Sequence, residues 1–194
     1  MKRTLLAVAG TLGLVLVGCV PSWNPFYTEK DVVFEPGLVG SWWPVDAKEA
    51  SPETWAFSRV GENGYQLAQT DEEGLKAVFD VRLFRLKGQA FLDLYVTKID
   101  SPEAKVNAWA GFSMVPAHLL LKVDQVVPAL KLAAMNPDAV KNLLKPHPDA
   151  LAHRVVADGN IVLAASTLEL QRFVLEHMAD KDFFGDAQEM KRRK

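Results

Sequence analysis

The chain has 194 residues, 49% of them apolar, with 22 Lys and Arg against 24 Asp and Glu for a formal charge of -2. That length supports one domain with a full hydrophobic core, and so even a charge balance excludes a protein that grips nucleic acid by neutralising phosphates. A single cysteine, Cys19, excludes an intrachain disulfide and a cysteine-rich zinc site.

Met1-Lys2-Arg3 gives a short positive start, and Leu5 to Gly18 is an uncharged, largely apolar run of 14 residues. A spanning helix needs about 20 such residues, so the run predicts the core of a secretory signal over residues 1–18 rather than an anchor. Leu16-Val17-Gly18-Cys19 follows. This stretch resembles the lipobox of bacterial lipoproteins. The resemblance implies cleavage before Cys19 and diacylglycerol plus a further acyl chain such as palmitate on that residue, which would tie the protein to a membrane of the cell envelope. Val20, rather than Asp, after the cysteine implies the periplasmic face of the outer membrane over the inner one. Residues 19–26 are expected to form a lipidated tether and 27–182 a single β-rich domain, with Tyr27 onward packed against it.

From Gly40 the punctuation is that of a meander. Glu53 to Val60 carries Trp55 and Phe57 on one face, and Asn63-Gly64 is expected to supply a two-residue hairpin turn into Tyr65 and Leu67. After Glu72-Glu73-Gly74, period-two alternation places Ala77, Phe79, Val81 and Leu83 on one face. Lys87-Gly88 turns the chain back into Ala90, Leu92, Leu94 and Val96. Pro128 interrupts an otherwise helical spacing between Leu119 and Leu130, which favours two strands, about 118–126 and 129–135. Asn136-Pro137 starts a short helix near 137–145, Asp158-Gly159 marks another hairpin, and Ser166 with Glu169 forms a capping box for a C-terminal helix near 167–179 with Leu170, Phe173, Val174 and Met178 inward. Residues 183–194 read as a polar, fraying tail ending in Lys191-Arg192-Arg193-Lys194.

The predicted fold class is therefore mainly β (α+β), an antiparallel meander forming a curved sheet or barrel. Gly40-Ser41-Trp42 resembles the Gly-x-Trp on the first strand of lipocalins and related calycin barrels, where the glycine permits close approach and the tryptophan plugs the closed end. The arginine that covers that tryptophan in lipocalins has no evident counterpart in the sequence. The wider run Tyr27-Thr28-Glu29-Lys30-Asp31 ahead of Gly40-Ser41-Trp42 is similar to uncharacterised bacterial lipoproteins, a family that brings no activity with it.

No catalytic residue is expected. His118, His147, His153 and His177 lack short-range ligand spacing, and neither His-Glu-x-x-His nor Gly-x-Ser-x-Gly occurs. Neither metal nor cofactor is expected, and the chain reads as a protein other than an enzyme. The inward set Trp42, Trp55, Phe57 and Phe79, with Leu83, Leu92 and Leu94, forms either a cavity wall or a solid core, with Leu92 expected toward the open end. A cavity would take a small apolar ligand or lipid; a solid core would leave a structural role, docking to an envelope protein.

Overall fold

The computed structural model describes residues 19–48, 51–100, 116–156 and 159–192. The leader at 1–18 and the Asp158 corner of the expected second hairpin lie outside them. Strands β1 (Gly40–Pro44), β2 (Thr54–Val60), β3 (Gly64–Thr70), β4 (Lys76–Leu86), β5 (Gln89–Asp100), β6 (His118–Gln125) and β7 (Leu130–Ala134) pair antiparallel in sequence order. The chain then leaves the sheet for α1 (Pro137–Leu144), a small hairpin of β8 (His153–Val155) and β9 (Ile161–Leu163), and α2 (Thr167–His177), before β10 (Gln188–Arg192) returns between β7 and β1. The result is a closed eight-stranded antiparallel barrel, lipocalin-like in its up-and-down order.

Two apolar clusters hold it together. Inside the barrel, Trp42, Tyr65, Leu67, Val81 and Leu92 are among the residues shut off from solvent. Outside it, the outward faces of β4, β5 and β6 present Phe84, Phe91 and Leu120, which pack with Phe26 and with Val140 of α1 and Leu170 and Phe173 of α2. These strands are buried on both faces at their centres, which is why Val81 to Leu86 and Phe91 to Leu94 carry apolar residues at both parities. The Ser166 hydroxyl and amide both donate to Glu169 Oε2, at 2.6 and 2.9 Å, capping α2 as expected, and Asn136 Oδ1 accepts from the amides of Asp138 and Ala139 at the start of α1.

Three expectations need correction. The segment 19–26 is no tether: Val20, Ser22 and Phe26 are buried, and Ser22 exchanges backbone hydrogen bonds of 2.9 and 2.8 Å with His118. The segment is an added layer, because its apolar residues cover the outer face of the barrel. Nor is 183–192 a fraying tail. Phe183 is buried among the helices and β10 closes the barrel with Met190 inward. Finally, the β2–β3 hairpin turns over residues 61–63, since Val60 pairs with Gly64. Gly61 takes the left-handed conformation (φ 62°), whereas Gly64 is required for space: a Cβ there would meet Val60 O at 2.8 Å.

Candidate functional site

The two ends of the barrel differ. At one end a 3-10 turn, Pro36–Leu38, lies across the opening with Leu38 buried beneath it. Trp42, fully buried, donates from Nε1 to the Leu38 carbonyl at 2.9 Å. The Tyr65 hydroxyl accepts from the Glu35 amide (2.6 Å) and donates to the Glu35 carbonyl (3.1 Å), and burial pushes its phenol above the ordinary value. Arg192 lies over the Trp42 indole, 4.7 Å from guanidinium carbon to ring centre, and donates to the carbonyls of Gly37 and Val39. Gly40, at φ 134°, sits under that guanidinium, where a Cβ would come within 3.4 Å of Arg192 Nη1. The glycine of Gly-x-Trp thus serves both conformation and close approach, and the arginine that the sequence did not disclose is Arg192, in the stretch that reads as a tail.

Above this seal the interior is filled. Trp55, Phe57, Leu83, Leu92 and Leu94 are each 3% exposed or less. Leu92, expected toward the open end, pairs with Leu83 and Leu121 in the packed middle. At the opposite end lies a cavity of about 470 Å³. Its wall includes Ala77, Phe79, Val96, Ile99 and Leu119, and its edge Gln69, Asp71 and Lys76. Of the seven inward residues singled out in the sequence, only Phe79 lines it. Alternation put the others on the correct face but carried no information on depth.

Ile99 reaches the cavity for a reason that simple alternation misses. The β4–β5 register shifts between Val78 and Phe79, so that Phe79 faces Val96 while Ala77 faces Ile99. One extra residue on β5 reverses the parity of its upper end and turns Ile99 inward. The rim beside it is acidic. Burial, together with Asp46, Glu72 and Asp71, raises the Glu53 carboxyl above its usual value.

No protein-family model, curated protein or solved structure matches this chain. Its functional reading therefore rests on its own geometry.

The histidines lie elsewhere. His118 donates from Nδ1 to Asp93 Oδ1 at 2.6 Å, and Asp93, buried, also accepts the Phe26 amide at 2.8 Å. This pair lies on the outer wall and ties the N-terminal segment down. His177 contacts Asp180 at 2.7 Å, His153 Nδ1 donates to the Leu151 carbonyl at 2.8 Å, and His147 precedes the 3-10 turn Pro148–Ala150. Among the described residues no three His, Cys, Asp or Glu side chains gather as metal ligands would.

Proposed function

We propose that this chain is a bacterial envelope lipoprotein, acylated at Cys19, whose barrel takes up a small apolar molecule through its open end. The observation that carries the binding part is the contrast between the two ends: sealed and filled around Trp42, open and apolar around Phe79 and Leu119. A cavity of about 470 Å³ is of the size in which proteins enclose small ligands, typically about 300–1,000 Å³ with mostly apolar walls. The lipid-anchor part rests on the lipobox and the lone cysteine.

The experiment is an equilibrium titration of the full chain, in a non-ionic detergent, with radiolabelled palmitic acid. Saturation at about one ligand per chain is expected. Leu119→Trp fills the mouth without removing core volume, and should abolish uptake while leaving the melting transition in place. A folded chain that binds no palmitic acid saturably would refute the ligand reading and favour a packed barrel that docks to an envelope protein.

A further inference from the structure

Among the described residues, the buried side-chain nitrogen or oxygen without a hydrogen-bond partner is Trp55 Nε1. The other polar aromatic atoms of the interior are satisfied: Trp42 Nε1 by Leu38, Tyr65 Oη by Glu35. An indole N–H is a donor only, and buried indoles ordinarily find an acceptor. Its position explains what kind of acceptor is missing. Trp55 points to the barrel interior and pairs across β3 with Gln69. The same row continues to Ala77 on β4 and Ile99 on β5. Gln69, Ala77 and Ile99 all line the cavity, so Trp55, buried one strand beyond Gln69, adjoins that wall without itself lining it.

We infer that the molecule held at the mouth carries an oxygen acceptor (a carboxylate, ester or ketone) at its buried end, and that Trp55 Nε1 donates to it, with the Gln69 amide alongside. This rests on the ligand reading of the cavity given above. The wall of Ala77, Phe79, Val96, Ile99 and Leu119 matches a hydrocarbon body, and the indole beside Gln69 matches one polar atom at the inner end of that body. A pure hydrocarbon would fill the volume and leave the donor unsatisfied. A ligand with an oxygen at that point satisfies both.

The test is equilibrium binding of radiolabelled palmitic acid, methyl palmitate and hexadecane to the full chain in one detergent. The two oxygen-bearing probes should bind roughly 3- to 10-fold more tightly than hexadecane, the scale of one hydrogen bond. Trp55→Phe should bring all three within twofold of one another and leave hexadecane unchanged. An undiminished preference in folded Trp55→Phe would overturn the assignment. If that variant does not fold, the indole N–H resonances of wild-type protein decide: one moves downfield with methyl palmitate and none with hexadecane. Bound ester with no indole shift overturns the assignment equally. Equal binding of all three probes by wild type removes the donor role alone, whereas no binding of any probe removes the ligand reading itself.

Discussion

Arg192 and Trp42 lie opposite each other across the β10–β1 seam, and their contact closes the barrel in two senses. The guanidinium covers the indole face, and its donors reach the carbonyls of Gly37 and Val39 in the turn that caps the opening. A planar fork serves this geometry, since it can stack and donate twice at once, whereas an ammonium is a single point of charge. Arg192→Ala should therefore cost about 1–3 kcal/mol from the lost stacking and charge-assisted bonds. Arg192→Lys should recover less than half of that, as read from urea midpoints at constant m-value. A lysine variant as stable as wild type would show that charge alone suffices at this seam. The residue was illegible in the sequence for a physical reason. Gln188 to Arg192 contains one apolar side chain, Met190, because β10 is short and contributes little more than that residue to the filled interior. A five-residue strand with one buried position has the composition of a tail.

At the scale of elements, α2 is held by more than its apolar stripe. Gln171 is buried beside Leu170 and Phe173, and its amide donates to the Phe26 carbonyl (3.0 Å) and to Asp31 Oδ2 (2.9 Å). The same carboxylate accepts the Thr28 hydroxyl at 2.6 Å. Burial by itself would raise the Asp31 carboxyl, but the hydrogen bonds from Thr28 and Gln171 outweigh it and hold the group below its usual value. A carboxyl lowered in the folded state contributes stability that is present above the unfolded value and is lost as pH falls through the folded one. Gln171→Leu should cost about 1–3 kcal/mol, since it leaves the Phe26 carbonyl without its donor. The stability advantage of wild type over Asp31→Asn should shrink as the solution is acidified below the ordinary carboxylate range. A constant difference across that range would show that the Asp31 charge is not part of the junction. Other elements were readable because their signals are local: alternation and the Lys87-Gly88 turn for β4 and β5, Pro128 for the break between β6 and β7, the capping box for α2. What alternation could not carry was anything set by a partner strand. The bulge that turns Ile99 inward and the N-terminal layer over Phe84 and Phe91 both depend on surfaces distant in sequence.

At the scale of the whole molecule, the proposed anchor and the proposed mouth lie close together. Ser22 is bonded in both directions to His118, the Trp23 amide donates to the Leu163 carbonyl at 3.0 Å, and the Leu163 amide donates to the Pro21 carbonyl at 2.8 Å. These bonds leave no slack after residue 21. Three residues span at most about 11 Å, so Cys19 lies within that reach of Ser22. Ala117 and Leu119, the neighbours of His118, both line the cavity. Acyl chains on Cys19 would then enter the bilayer from beside the mouth, with exposed Trp23 on the same stretch, an aromatic of the kind that settles at a membrane interface. One acyl chain gives only marginal attachment and two or more give stable anchoring, at about 0.8 kcal/mol per buried methylene. Cys19→Ser removes every attachment point at once, so it should abolish labelling by radioactive palmitate and shift the domain from the membrane fraction to the soluble one. Its melting transition should stay near that of the wild-type domain, because the layer from Val20 onward packs through its own side chains. Undiminished label in the serine variant would refute acylation at this cysteine. Lost label with the domain still sedimenting with membranes would locate the attachment on the protein surface instead, with Trp23 the first residue to substitute.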